Sequence, residues 1–299
     1  MAGYDGSAIL VTGATGTLGR EVVRQLLGAT GDSNIKASGR SIENVKRVIN
    51  SDRVEAVQID YNKPETIKSA LIDVDKIFLL THWQSDLVEV ESNVLREIKN
   101  AGSIKHIIKS SVIRADSDPG ITGSRLHRQV ETIIEDSGIA YTFLCANFFM
   151  QSFVDFIPQK VREQGTFYLP AGDGKVSFVD VRDIATVAVQ ALTNNDDGKH
   201  NGKAYNITGP EAISFGAAAS ILSEQVGKKI SYANISEDDA RKGMSDIGLD
   251  QWTINFFIEL YRIMRLGYLS QVSSVVEEVT GKGAISFSQF AKDYAEAFK

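Results

Sequence analysis

Residues 11–20 read "VTGATGTLGR", and the fold turns on this stretch. Gly13, Gly16 and Gly19 form G-x-x-G-x-x-G. An apolar run, "SAILVTG" (7–13), precedes them. The segment that follows, "TLGREVVRQLLGA" (17–29), carries Leu18, Val22, Val23, Leu26 and Leu27 at helical spacing. Strand, glycine loop and helix in this order predict the first turn of a dinucleotide-binding βαβ unit. The first glycine permits the tight turn, the second lets backbone N–H groups approach a pyrophosphate, and the third lets the helix pack close to the sheet. The helix N-terminus adds free donors and a partial positive charge. A plain tight turn could also hold three glycines, so the surrounding sequence has to decide.

It does so by repetition. Apolar runs predict strands at "NIKASGR" (34–40), "VEAVQID" (54–60), "VDKIFLLT" (74–81), "IKHIIKSS" (104–111) and "IAYTFL" (139–144). Between them lie helices: "SIENVKRVIN" with Ser41 as N-cap, "KPETIKSAL" with Pro64 in its first turn, "SDLVEVESNVLREIKNAG" closed by Gly102, and the segment that ends near Glu135. Strand–helix alternation at these lengths predicts an α/β fold of Rossmann type, a doubly wound parallel sheet with helices on both faces. Past residue 150 the alternation loosens. "DGKVSFVDVRDIATVAVQALT" is expected to give a strand and a helix, with Asp180 and Asp183 near the helix start. Further strands are expected in "KAYNITG" and "KKISYANIS", and helices over "SFGAAASILSEQVG", "LDQWTINFFIELYRIMRLG" and "SFSQFAKDYAEAF". No low-complexity linker separates the halves. The expectation is a nucleotide-binding domain over 1–150 and a smaller C-terminal α/β substrate lobe over 151–299, packed directly on it across a soft boundary.

The chain has 299 residues, 43% hydrophobic and 23% charged, the composition of an ordinary soluble globular protein. Its net charge of −6 and pI near 5.4 argue against a nucleic-acid footprint. A single cysteine, Cys145, excludes an internal disulfide and a cysteine metal cluster, and no metal is expected. With no secretory pattern at the N-terminus and no apolar run long enough to span a bilayer, a reducing, cytoplasmic setting is expected.

The end of the second strand selects the cofactor. Roughly twenty residues past the last glycine, an acid would hold a ribose 2′-OH and an arginine would meet a 2′-phosphate. The sequence has no acid there but Arg40, so NADP(H) is expected over NAD(H); the alternative is a solvated loop charge. Lys36, nearby, reads as an exposed strand residue. At the end of the third strand, Asp60 is placed either to accept from an adenine amino group or to cap the next helix, and Tyr61 to flank the ring. Leu80, Thr81 and His82 end the fourth strand at the sheet's carboxyl edge, with His82 read as a crevice or surface residue.

With "TGATGTLGREVV", "LHRQVETIIEDSGIAYTFL" followed by "NFFMQSF", "VSFVDVRDIATVAVQAL", "AYNITGPEAISFGAAASIL", "GLDQWTINFFIEL" and "VEEVTGKGAISFSQF" in order, the chain resembles the NmrA-like branch of the atypical short-chain dehydrogenase/reductases over nearly its whole length. That branch includes NAD(P)H-dependent quinone and azo-compound reductases and non-enzymatic cofactor-sensing regulators. The resemblance implies that Gly13, Thr15, Gly16, Thr17, Leu18 and Gly19 hold the pyrophosphate and Arg40 the 2′-phosphate. It also implies that Leu80 and Thr81 border the nicotinamide ribose, and that Ala146, Asn147, Phe148 and Phe149 line the nicotinamide side. Where relatives end the sixth strand Leu-Arg-Pro, this chain has Leu144-Cys145-Ala146. Cys145 then sits at the crevice edge, with an inert small hydrophobe as its plainer reading.

The superfamily's Tyr-x-x-x-Lys, counted back from Glu131, falls on Gly123 and His127. The superfamily's serine falls on Ser110 or Ser111, or in another register on Val112. Gly123 cannot deliver a proton. A conjugated acceptor such as a quinone or an azo bond spreads the incoming charge, so hydride delivery to it needs mostly proximity and orientation. The expectation is therefore an NADPH-dependent oxidoreductase acting on such a small-molecule acceptor. The alternative is a non-catalytic NADP(H) sensor that binds a protein partner. His127 is placed to protonate or hydrogen-bond the acceptor, or else to meet a ribose hydroxyl or a backbone carbonyl; Glu131, one turn on, reads as structural or as orienting it. Of the aromatic cluster, Phe148 and Phe149 are expected at a pocket floor, and Met150, Phe153, Phe156 and Trp252 in core.

Overall fold

The computed structural model describes residues 8–29, 34–117, 120–194 and 198–299, so Ser7, counted above into the first strand, lies outside the described residues. In chain order the elements are β1 (Ala8–Val11), α1 (Thr17–Ala29), β2 (Ile35–Gly39), α2 (Ile42–Ile49), β3 (Val54–Gln58), α3 (Pro64–Ala70), β4 (Val74–Leu79), α4 (Leu87–Ala101), β5 (His106–Val112), α5 (Thr122–Glu135) and β6 (Ala140–Ala146). They continue with α6 (Ser152–Phe156), α7 (Pro158–Gln164), β7 (Thr166–Leu169), β8 (Lys175–Val176), α8 (Val181–Thr193), β9 (Lys203–Ile207), β10 (Ile213–Ser214), α9 (Phe215–Val226) and β11 (Ser231–Asn234). The last helices are α10 (Glu237–Asp246), α11 (Gln251–Arg265), α12 (Val275–Thr280) and α13 (Phe287–Asp293).

One sheet of seven strands runs in the order β3-β2-β1-β4-β5-β6-β9. The pairs β1–β2, β1–β4, β2–β3 and β4–β5 are parallel. This is the doubly wound α/β arrangement expected from the alternation. Parallel strands covered on both faces should be apolar throughout, and β1 and β4 are buried at every residue. One face is closed by Ile67 and Ala70 of α3, Val94, Leu95 and Ile98 of α4, and Val130 and Ile134 of α5. The caps read from sequence are present. The Ser41 side chain accepts from the Asn44 amide, Pro64 opens α3, and Gly102 ends α4 in the left-handed region at φ 66°.

The chain divides into two compact units. The first holds residues up to 118, 124–145 and 184–205; the second holds 119–123, 146–183 and 206–299. Residues 184–205 join the first because β9 adds to its sheet and the last turn of α8 is anchored there. Lys76 of β4 donates to the carbonyls of Leu192 and Asn194, at 3.0 and 3.1 Å. The second unit carries two small sheets, an antiparallel β8–β10 pair and a parallel β7–β11 pair. Its core is aromatic: Phe153 packs on Phe167, Phe178, Phe215 and Phe287.

Three readings of burial are corrected. Lys36 is buried, because β2 is an interior strand. Its stem runs under cover and its ammonium emerges to donate to Ile72 O at 2.7 Å and to face Glu55 at 3.6 Å. Phe156 is 73% exposed at the end of the short α6. Trp252 is half-buried rather than core, and stacks on Phe256 one turn along α11.

The second unit holds a buried acid with a consequence for stability. Asp183 accepts from the Ile285 amide at 2.8 Å, and burial, aided by Asp180, pushes its carboxyl up to about 6. A group whose native pKa is raised contributes stability that is fully present below its unfolded value and lost as pH rises through the native one. The protein should lose on the order of 2 kcal/mol through this group between about pH 4 and 7. Asp183→Asn keeps an oxygen for Ile285 and should flatten that slope in urea unfolding; an unchanged slope would rule Asp183 out as its source.

Candidate functional site

In a doubly wound sheet, the crevice opens where strand order reverses, beyond the carboxyl ends of the strands. Here that point lies between β1 and β4. A threonine that the sequence reading passed over fixes the two ends together. Thr12 Oγ1 donates to Leu80 O at 2.8 Å and accepts from the Leu80 amide at 2.7 Å. Ala14 is tied across to β2 through Ser38 O.

The three glycines are bare for different reasons. Gly13 has φ 61°, and a Cβ there would lie 2.9 Å from Leu80 O. At Gly19 a Cβ would come within 2.3 Å of Gly13 O, so the start of α1 could not close on the loop. At Gly16 it would meet only Gly13 O, at 3.4 Å, and the residue is exposed. Packing therefore accounts for Gly13 and Gly19 but not for Gly16. Its open backbone suits a ligand that approaches the main chain closely. The amides of Thr17 and Leu18 open α1 with no backbone acceptor among the described residues, and Leu18 turns its side chain into the core. Thr15 is half-buried, its methyl against the end of β2 at Gly39. Arg40 follows, exposed, and its guanidinium makes no ion pair among the described residues. This donor set fits a dinucleotide carrying an additional phosphate.

Asp60 and Tyr61 also make contacts within the fold. Asp60 accepts from the Asn62 amide at 3.1 Å, closing a turn rather than capping α3, whose N-cap position is Lys63. Tyr61 is half-buried and packs against the core cluster that includes residues of α3 and α4. Burial raises its hydroxyl pKa, with Glu91 adding to the rise and Thr12 opposing it.

At the ends of β4 and β5 lies a charged group that the sequence reading missed. Lys109 and Glu91 are both fully buried. Lys109 Nζ lies 2.8 Å from Glu91 Oε2, donates to Oε1 at 3.0 Å and donates to Ser110 O at 3.0 Å. Thr81 Oγ1 donates to the same carboxylate at 2.6 Å. The signal was present: Glu91 interrupts the apolar stripe of Leu87, Val90, Val94, Leu95 and Ile98, and Lys109 interrupts the apolar run of β5. Ser111, not Ser110, makes the side-chain contact at the strand end, donating to Glu131. Glu131 also pairs with Arg128 at 3.2 Å, in keeping with its structural reading.

His127 is 7% exposed on α5, its ring stacked on Trp83 at 5.3 Å between centroids and 24° between planes. Its Nδ1 is buried without a hydrogen-bond partner. Leaving such a group unpaired costs about 1–3 kcal/mol. Burial, reinforced by the Lys109 charge, holds the imidazole well below its ordinary range. The burial that disfavours the charged imidazole leaves the ring suited to hydrogen bonding, one of the roles read from sequence. Gly123 lies one turn before it on the same helix and has no side chain to donate. Cys145 is buried and its thiol is pushed up to about 12 by burial and by Glu131, so it is an inert hydrophobe. His82 is exposed.

In the second unit, Asn147 is 3% exposed and its amide is committed to the fold. Nδ2 donates to Ser177 Oγ at 2.7 Å and to Leu269 O at 3.0 Å, and Oδ1 accepts from the Phe148 amide. Ala146 is buried, while Phe148 and Phe149 are half-buried. A cavity of about 230 Å³ is lined by Trp252, Arg241, Glu259 and neighbours, with Glu259 accepting from the Thr122 amide and hydroxyl at the start of α5. A roomier cavity of about 560 Å³, lined by Lys68, Ile72, Asp73 and Glu97, lies before β4 and β5, at the sheet edge away from the crevice. No helix among the described residues is long and apolar enough to cross a membrane.

Comparison with known proteins gives a consistent picture. A model of the NmrA-like family matches residues 5–279. The chain is 38% identical over 290 residues to an NAD(P)H azoreductase of Xenophilus azovorans, covering 97% of this chain and 99% of that one. Among solved structures, the NADPH-dependent quinone oxidoreductase of Escherichia coli complexed with NADPH superposes with a TM-score of 0.84 at 26% identity, over 95% of this chain and 99% of that one. The Citrobacter sp. triphenylmethane reductase complexed with NADP(H) does so with a TM-score of 0.84 at 27% identity, over 96% and 99%.

Proposed function

The chain belongs to the NmrA-like family and is an NAD(P)H-dependent reductase, and from that premise we propose that it prefers NADPH and reduces a quinone, an azo bond or a similarly conjugated acceptor without a tyrosine–lysine proton donor. The observation that carries the reading is the pairing of an open Gly16 and an unpaired Arg40 at the crevice with Gly123 where a donor tyrosine would stand. An identity of 38% to an azoreductase over nearly the full length favours this catalytic reading over a sensor that binds a protein partner.

The residues would divide the work as follows. The backbone of Gly13, Gly16 and Gly19 and the first amides of α1 receive the pyrophosphate, and Arg40 the 2′-phosphate. When bound, the reduced nicotinamide supplies the hydride. Thr81, held by Glu91, borders the nicotinamide ribose as a rigid part of the crevice edge. The acceptor gains that hydride and one proton. Water delivers the proton, because Gly123 has no side chain to donate it and the reduced acceptor carries its charge delocalised.

The protein should oxidise NADPH in the presence of naphthoquinones or azo dyes, read as loss of the cofactor's near-ultraviolet absorbance. If no such acceptor drives that loss, the proposal falls. With burial disfavouring charge on His127, kcat/KM should show no inflection near pH 6.5. Arg40→Ala should raise KM for NADPH by roughly 10–100-fold, the worth of a charge-assisted contact, and leave KM for NADH unchanged. Equal losses with both cofactors would remove Arg40 from 2′-phosphate recognition.

A further inference from the structure

The fold alone gives little reason to bury Lys109 and Glu91. A buried ion pair adds little stability over a well-packed apolar pair, and the two β5 residues before Lys109, Ile107 and Ile108, are apolar and buried. What the pair does is hold a third group. Thr81 lies two residues past the end of β4, half-buried, and its Oγ1 donates to Glu91 Oε1 at 2.6 Å. Lys109 Nζ lies against both oxygens of that carboxylate and donates as well to Ser110 O, so one carboxylate from α4 ties the ends of β4 and β5 together. Leu80, the residue before Thr81, is gripped at its amide and its carbonyl by Thr12. Backbone and side chain are thus both fixed at this corner of the crevice. A threonine hydroxyl has one proton and two lone pairs. Here the proton is committed to a carboxylate, a charge-assisted bond stronger than a neutral one. A carboxylate in an ion pair only accepts, so the bond cannot run the other way. Thr81 therefore offers a partner only a lone pair, and any group that meets its hydroxyl must be a donor.

We infer that Glu91 and Lys109 are positioning residues for the cofactor: they hold Thr81 as a fixed acceptor for a hydroxyl of the nicotinamide ribose. This rests on the reductase reading, which puts that ribose at Thr81. It adds the direction of the contact and the two buried residues behind it. A ribose hydroxyl held there limits rotation of the ribose, and with it the ring that carries the hydride. The contact orients the cofactor and does not touch the proton or hydride balance.

NADP⁺ carries the nicotinamide ribose and adenosine 2′,5′-bisphosphate does not, so titrating both ligands isolates this contact from the rest of the cofactor site. Thr81→Val, which keeps the shape and loses the hydroxyl, should raise Kd for NADP⁺ by roughly 3–10-fold, the worth of one hydrogen bond, and leave Kd for the bisphosphate unchanged. Thr81→Ser should recover most of the loss. The apolar double variant Lys109→Met/Glu91→Leu keeps the Thr81 hydroxyl but removes what orients it. It should show the same contrast between the two ligands, and adding Thr81→Val to it should weaken NADP⁺ no further. Parental NADP⁺ affinity in Thr81→Val or in the double variant, or equal losses for both ligands, would overturn the inference and leave the reductase reading standing. The expected contrast without turnover of any acceptor would do the reverse. Should the double variant fail to fold, Glu91→Asp takes its place under the same outcomes: it keeps a carboxylate for Lys109 and draws it back from Thr81 by one methylene.

Discussion

Lys109→Met is expected to destabilise the protein by about 3–5 kcal/mol, the cost of stranding a buried charge. Glu91 is fully buried, and among the described residues its carboxylate is met by Lys109 and the Thr81 hydroxyl. Methionine fills the volume but leaves the carboxylate either unpaired or forced to take a proton. Adding Glu91→Leu should restore most of the loss, since a well-packed apolar pair can match a buried ion pair. Urea unfolding of the single and double variants measures this coupling. A single-variant loss under about 1 kcal/mol would mean that the pair is solvated in solution.

The second large effect separates packing from ligand binding within one loop. Gly19→Ala places a methyl 2.3 Å from Gly13 O, a backbone atom that cannot swing aside. The start of α1 must move, at a cost of about 1–3 kcal/mol for overpacking, and NADPH binding should be lost with it. Gly16→Ala meets its nearest neighbour at 3.4 Å. Its stability should stay within about 0.5 kcal/mol of the parent, while NADPH affinity falls by about tenfold or more, as a methyl holds the pyrophosphate off the backbone. Thermal unfolding beside a cofactor titration reads both. Parental affinity in Gly16→Ala would show that nothing approaches the loop there.

Much of the first unit was legible because its elements are long and periodic. The α1 boundaries, the Ser41 cap and the Gly102 stop follow from local chemistry that acts within a few residues. The second unit was less legible. The two-residue strands β8 and β10 and the short helices α6 and α12 are too brief to show a period, and tertiary contacts hold them. Exposure was misjudged where a neighbour decides it: Lys36 looked like a surface residue until β3 covered its strand, and Phe156 looked like core until α6 ended in solvent.

The same division runs through the candidate site. By itself, the sequence determined that a glycine loop opens a parallel sheet, that an arginine rather than an acid follows β2, and that no tyrosine stands one turn before His127. These are statements about residue type at a fixed chain distance, and backbone geometry enforces them. Only the tertiary structure decided that Asn147 commits its amide to Ser177 and Leu269, that Lys109 and Glu91 meet, that burial disfavours charge on His127, and that Trp83 lies against it. Each of those depends on which groups from distant elements share a desolvated space. Burial and pairing set charge state and exposure, and neither is a property of a residue or its chain neighbours alone.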